Sequence, residues 1–296
     1  MNGWSKLVGI GCILAAIVAI PRQTLGDDVK ILVRKGLTYS DADAGLGMDL
    51  FLPKDSSHPV PCIVVIQGGG FLPQDGQRFR PFAEHLAEHG FAAALISYRG
   101  RPKHTYQETM SDVKAAVRFV RKISVDHGID ASRIGAMGRS AGATLAVLLA
   151  VAGDDDSSAN GNHGDSSGRI QAAVGIAGVY DFVGRFESDE QTTLQPKASL
   201  KKRTNGEWIG KPYSSTDADW LRASAINSVD AADPPLCLLH SRDDQVVPWM
   251  QSREMHDAVL KAGGRSQLVI SENGGHGGPE ESKEVMVSFF KDKLAH

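Results

Sequence analysis

A chain of 296 residues with 42% hydrophobic content can bury the core of one domain of the larger α/β kind. Its formal charge is −3, and its lysines and arginines are scattered apart from the short run Lys201-Lys202-Arg203. That distribution excludes a nucleic-acid surface, which needs a basic stripe or face.

The first element in chain order is a targeting segment. Lys6 supplies a positive start, Leu7 to Ile20 is apolar, Pro21 ends the run, and Thr24 and Gly26 place small residues before Asp27. The run is shorter than the ~20 residues a spanning helix needs. The pattern predicts a signal peptide over residues 1–26, a mature domain over 27–296, and a secreted or periplasmic protein with no stable membrane insertion once the leader is cleaved. An uncleaved anchor is the alternative reading. Cys62 and Cys237 sit in apolar strands; the sheet expected below separates those strands, which favours two buried thiols over a disulfide.

Val29 to Tyr39 and Leu46 to Leu52 read as edge strands joined by a polar turn, and Ile63 to Gln67 as a buried strand that ends in glycines. A helix over Gln77 to His89 and a strand over Phe91 to Tyr98 follow. Glu108 to His127 is the clearest amphipathic helix, with Val113, Val117, Val120 and Ile123 on one face. Next come a strand around Ile134, a helix from Ala141 to Ala150 and a strand from Ile170 to Ala177. The pattern closes with strand Leu236 to His240, helix Trp249 to Lys261, strand Gln267 to Ser271 and helix Glu280 to Leu294. Alternating elements with near-continuously apolar strands predict a mostly parallel central sheet covered by helices on both faces. Two stretches interrupt it: an exposed loop over Asp154 to Gly168, and a polar, irregular insertion over 182–228 expected to form a small cap.

The candidate chemistry lies where strands end. Gly138-Arg139-Ser140-Ala141-Gly142 stands between a strand and a helix. A serine on such a turn needs small residues at minus two and plus two, and the next amide, at a helix N-terminus, can stabilise an oxyanion. Ser140 is therefore the candidate nucleophile. His276, flanked by Gly274, Gly275, Gly277 and Gly278, is the candidate base. In His240 to Pro248, directly after a strand, Asp244 is the favoured acid; Asp243, one residue off, is expected to point elsewhere, and Asp181 to cap the insertion. Gln67-Gly68-Gly69-Gly70-Phe71 follows another strand, so the Gly69 and Gly70 amides join that of Ala141 as a candidate oxyanion hole. Phe71, Trp208 and Trp220 are candidate substrate-binding residues. The tryptophans either stack on sugar rings or pin the cap to the body.

These pieces, with Ile96-Ser97-Tyr98-Arg99, Asp112-Val113-Lys114-Ala115-Ala116-Val117-Arg118 and Asp233-Pro234-Pro235, resemble the α/β-hydrolase serine carboxylesterases. Within them the chain is most similar to the bacterial acetylxylan and feruloyl esterase group. The resemblance runs from Val29 to the last helix. It implies the α/β-hydrolase fold, an acyl-enzyme on Ser140, no metal or organic cofactor, and a small-molecule or carbohydrate ester as substrate. Short-chain esters, acetyl or feruloyl groups on plant polysaccharide fragments, are the expected class. A serine peptidase of the oligopeptidase type and a non-catalytic binding protein on the same scaffold are the alternatives. Gln67 departs from the family loop, which usually begins with histidine; a glutamine amide can also hold such a loop by hydrogen bonds.

Overall fold

A computed structural model describes residues 30–152, 167–195 and 197–295. The expected signal segment, and the expected loop from Asp154 as far as residue 166, lie outside the described residues. Eight strands make one sheet: β1 (Ile31–Thr38), β2 (Gly47–Pro53), β3 (Val60–Ile66), β4 (Ala92–Ile96), β5 (Ile129–Arg139), β6 (Ala172–Ile176), β7 (Leu236–Ser241) and β8 (Ser266–Ser271). Their order is β1-β2-β4-β3-β5-β6-β7-β8. The first two strands pair antiparallel with each other, and β2 runs antiparallel to β4; every pairing from β4 onward is parallel. Among the described residues no helix is long and apolar enough to cross a membrane.

Side-chain alternation sends β3 residues Cys62, Val64 and Ile66 into one core and Ile63 and Val65 into the other. The first core is closed by α2 (Tyr106–Ile123), α3 (Ala141–Val151) and α8 (Met250–Lys261). The second is closed by α1 (Arg80–Glu88) and α9 (Ser282–Lys293). Every residue of α3 is buried, which accounts for its apolar sequence all round. Cys62 and Cys237 are free and buried, in opposite cores, with β5 and β6 between their strands. Burial pushes both thiols up to about 12, so they stay protonated and inert.

Two elements differ from their sequence reading. The β5 strand starts at Ile129, earlier than its apolar run, because Val60 pairs with Ile129 before the register shifts to Cys62 with Ile134. The polar residues between them ran against a strand assignment. The insertion is helical, with α4 (Gly184–Glu187), α5 (Asp189–Thr193), α6 (Ala198–Ile209) and α7 (Ala218–Ala223). Three of these are too short for periodicity to show; side chains set their ends. Asp181 Oδ1 accepts from the Val183 and Gly184 amides at 2.9 and 2.8 Å, and Asp217 Oδ1 accepts from the Asp219 amide at 2.8 Å.

The loops that follow β3, β5, β7 and β8 leave the carboxyl ends of parallel strands, where sheets of this kind gather their ligands. These loops carry the glycine run, Ser140, Asp244 and His276 respectively.

Candidate active site

Ser140 has φ 57° and ψ −126°, a backbone conformation that costs a side-chain-bearing residue about 1–3 kcal/mol. Its amide donates to the Ile176 carbonyl at 2.8 Å, which holds the turn against β6. The two flanking glycines are steric necessities. A Cβ on Gly138 would lie 2.2 Å from the Gly142 carbonyl carbon, and one on Gly142 would lie 2.0 Å from the Ile66 carbonyl oxygen. Gly142→Ala is expected to destabilise the fold by about 1–3 kcal/mol or more, because the clash is with backbone. Urea unfolding measures this; a midpoint equal to wild type would contradict the geometry.

The structure brings Ser140, His276 and Asp244 into one hydrogen-bonded series. Ser140 Oγ donates to His276 Nε2 at 2.8 Å, and His276 Nδ1 donates to Asp244 Oδ2 at 2.8 Å. Ser140 and the imidazole are partly exposed, whereas Asp244 is 1% exposed. Burial alone would push the Asp244 carboxyl up. Hydrogen bonds from His240 and His276, the nearby His276 charge and the Val246 amide outweigh it and hold the group well below the usual carboxylate range. Oδ1 accepts from the Val246 and Val247 amides at 2.7 and 3.1 Å.

The second histidine on Asp244 escaped the sequence reading. His240 is fully buried; its Nε2 donates to Asp244 Oδ2 at 3.2 Å and to the Val247 carbonyl at 3.0 Å, while its Nδ1 accepts from Ser252 Oγ at 2.7 Å. A carboxylate and a carbonyl only accept, so the proton must reside on Nε2. The sole sequence signal was a polar residue at the end of an otherwise apolar strand. Asp243 does point elsewhere, and with a purpose: its Oδ1 accepts from the Gly275 amide at 2.8 Å, tying the acid loop to the histidine loop. Arg185 from α4 is buried and donates to the Val246 carbonyl at 2.7 Å, fastening the acid loop from the cap side. Burial pulls its guanidinium down to about 10, with the Asp244 charge opposing the shift; it remains a cation at neutral pH.

The glycine loop is clamped from several directions. Gln67 Oε1 accepts from the Arg78 amide at 2.9 Å, its amide nitrogen bonds to Gln74 Oε1, and its carbonyl accepts from Tyr98 Oη at 2.8 Å. Gln67 therefore does hold the loop. Arg101 Nε donates to the Gly70 carbonyl at 2.7 Å and Nη1 pairs with Glu207 on α6 at 2.6 Å. Arg99, next to Tyr98, pairs with the buried Asp112 at 2.7 Å. The Ser97-Tyr98-Arg99 and Asp112 stretches thus frame the loop. Gly69 and Gly70 take φ 149° and 62°, conformations open to glycine. A Cβ on Gly68 would meet the Arg139 carbonyl at 2.2 Å, so the loop lies directly against the serine turn. Among the described residues the amides of Gly69, Gly70 and Ala141 have no hydrogen-bond acceptor.

The aromatic expectation needs correction. Phe71 is 3% exposed, and Trp208 and Trp220 are fully buried, so no ring face is free to stack on a sugar. Phe71 and Trp208 stack on each other, centroids 3.7 Å apart at 10°. Trp208 Nε1 donates to Thr109 Oγ1 at 3.1 Å, and Trp220 Nε1 to the Pro212 carbonyl at 3.0 Å. Apolar area drives these rings under the cap, and each indole N–H finds a partner there. They pin the cap to the body. Among the described residues no cluster of three or more His, Cys, Asp or Glu could hold a metal ion.

Known proteins resemble this chain in sequence and in fold. The BD-FAE family matches residues 48–259. The probable carboxylic ester hydrolase LipM of Mycobacterium tuberculosis is 31% identical over 69% of this chain and 46% of its own length. A probable isoprenylcysteine alpha-carbonyl methylesterase of Arabidopsis thaliana is 24% identical over 82% of this chain and 51% of its own. The chain thus spans about half the length of these curated relatives. Among solved structures, a truncated carbohydrate esterase from gut microbiota superposes with TM-score 0.78 at 24% identity, covering 90% of this chain and 97% of that one. An acetyl ester-xyloside bifunctional hydrolase from Caldicellulosiruptor lactoaceticus superposes at 0.69 and 26% identity, covering 83% and 88%. The architecture is the α/β-hydrolase fold.

Proposed function

The chain belongs to the BD-FAE family, and from that premise we propose that it is a serine-dependent carboxylic ester hydrolase acting on short-chain acyl esters of carbohydrates, acetyl or feruloyl groups among them. The observation that carries the reading is the Ser140–His276–Asp244 series, with 2.8 Å at both links, beside three main-chain amides with no acceptor among the described residues. In the proposed mechanism His276 Nε2 takes the Ser140 proton as Oγ attacks the ester carbonyl carbon. The tetrahedral oxyanion accepts from the Gly69, Gly70 and Ala141 amides, whose positions are set before substrate arrives, so little reorganisation opposes the charge. The intermediate collapses, the carbon–oxygen bond to the alcohol breaks, and the alcohol leaves with the proton from His276. Water, deprotonated by the same imidazole, then releases the acid and restores Ser140. Asp244 keeps Nδ1 protonated and stabilises the imidazolium throughout.

Carbohydrate esters are favoured because two structural neighbours bear the names carbohydrate esterase and acetyl ester-xyloside hydrolase. The cap also carries cations, among them Lys201, Lys202 and Arg203, and makes a poor apolar lid for a lipid interface. The signal-like residues 1–26 support export to where such polymers are met. The test measures initial rates on p-nitrophenyl acetate, butyrate, octanoate and feruloyl esters, and acetate release from acetylated xylan. The expected profile peaks at acetyl, with acetate released from the polymer. Hydrolysis of the small esters without acetate release would overturn the polysaccharide assignment, and no hydrolysis at all would overturn the esterase.

A further inference from the structure

Most cations of the cap have a partner among the described residues; the exposed Lys197 and the partly buried Lys201 do not. Arg101 and Arg203 pair with Glu207, Lys211 with Asp217 and Asp219, Arg222 with Asp219, and Lys202 sits over the Tyr213 ring at 4.3 Å. Lys201 is different. It is partly buried, yet its ammonium makes no hydrogen bond or ion pair among the described residues. One turn along α6, Asn205 is 5% exposed, and its amide nitrogen is buried with no hydrogen-bond partner among the described residues. A buried donor left unmade costs about 1–3 kcal/mol, so such a group calls for an explanation.

Spacing at i, i+4 and i+7 puts Lys201, Asn205 and Trp208 on one face of α6. That face is fixed on the catalytic side of the cap, because Trp208 stacks on Phe71, the residue that follows Gly70 in the glycine loop. Its flanks are fixed too: Glu207 reaches Arg101, which holds the Gly70 carbonyl, and Lys202 faces Tyr213 and Phe186. Among the described residues the neighbouring carboxylates Asp244 and Glu207 are already engaged. Asp244 already accepts four hydrogen bonds, and Glu207 is shared between Arg101 and Arg203.

We infer that Lys201 and Asn205 form a subsite for a carboxylate carried by the substrate, so that the preferred esters are anionic. The ammonium supplies the charge and the Asn205 amide a directed donor, two contacts that a carboxylate's two oxygens can accept together. Burial, with Arg185 and Arg101 nearby, pushes the Lys201 ammonium below its ordinary value, as expected of a cation that lacks its counter-ion. The inference rests on the esterase reading and adds the substrate's charge to it.

The carboxylate can sit on either side of the ester, and two substrate pairs separate these sources. On the alcohol side, acetylated methyl glucuronoside is compared with acetylated methyl glucoside. On the acyl side, the p-nitrophenyl half-ester of glutarate is compared with p-nitrophenyl pentanoate. In wild type one of the two acid-to-neutral ratios of kcat/KM is expected to exceed ~10, the worth of one charged hydrogen bond, and to shrink as salt rises. Lys201→Met should bring that ratio to about 1, and Asn205→Leu should lower it several-fold. Taking the ratio within each variant cancels any common effect on folding or chemistry. Binding of the glucuronoside, the glucoside and glutarate to the Ser140→Ala protein by calorimetry is a second readout that needs no turnover. Ratios and affinities unchanged by Lys201→Met would overturn the subsite even if the esterase stands. A Lys201-dependent affinity without ester hydrolysis would keep the subsite and overturn the esterase.

Discussion

Ser140→Ala is expected to lower kcat on p-nitrophenyl acetate by at least about 10,000-fold while leaving a folded protein. The loss follows from the geometry. Oγ stands 2.8 Å from His276 Nε2, and no other hydroxyl shares the turn Gly138–Gly142. The residual rate is expected to stay above zero, because under the proposed mechanism the amides of Gly69, Gly70 and Ala141 would still stabilise an oxyanion formed by water; such scaffolds retain roughly 10³–10⁴-fold over the uncatalysed reaction. Folding survives because the turn is held by backbone, with the Ser140 amide on the Ile176 carbonyl at 2.8 Å. A second variant reads the strain. At φ 57° and ψ −126° glycine is at ease and alanine is not, so Ser140→Gly should be more stable than Ser140→Ala by about 1 kcal/mol or more. Urea unfolding of the two variants measures the gap. Equal stabilities would mean that the turn is not strained, and full activity in either variant would remove Ser140 from the mechanism.

Asp244→Asn should cost roughly 10,000-fold in kcat, by inverting a donor and an acceptor. The asparagine oxygen can still accept from the Val246 and Val247 amides, which leaves its NH₂ facing two ring nitrogens, His276 Nδ1 at 2.8 Å and His240 Nε2 at 3.2 Å. His276 then relieves the clash by placing its proton on Nε2, where it can no longer accept from Ser140. The same substitution changes the pH dependence of stability. The folded Asp244 carboxyl lies below its ordinary value, while in the unfolded chain it titrates near ~4. A depressed group stabilises the fold above its unfolded pKa, and that stabilisation is lost as pH falls from there toward the folded value. The difference in unfolding free energy between wild type and Asp244→Asn should therefore be largest above pH ~5 and shrink by pH ~3. An equal difference at both pH values would show that the carboxylate charge is not what stabilises this loop.

Much of the site was legible because catalysis places demands on local backbone, and local demands leave residues at fixed offsets. Gly138 and Gly142 are read from the serine outward, and the structure shows the carbonyl contacts that a side chain there would violate. Gly274 and Gly275 carry φ 134° and 55°, the freedom that lets a short loop turn an imidazole toward the serine. Gln67 was legible as a loop-holding amide, though not its partners Gln74 and Arg78. His240 was passed over as the tail of a strand. Its interest lies in Ser252 and Asp244 meeting it in a buried space, and burial is a property of the packed chain. The same gap explains the tryptophans, whose sequence is equally suited to an exposed platform and to a buried pin.

By itself the sequence determined the order of strands and helices outside the cap, the two-sided sheet, and the serine, acid and histidine at strand ends. Each of these is written in periodicity or in residues a few positions apart, which the chain reads locally. Only the tertiary structure decided what depends on distant segments meeting: which carboxylate faces His276, that His240 shares it, that Phe71 and Trp208 lie buried against each other, and that Lys201 and Asn205 keep donors without a partner among the described residues. Burial and pairing are set by the whole packed chain, because water is excluded by every neighbour at once.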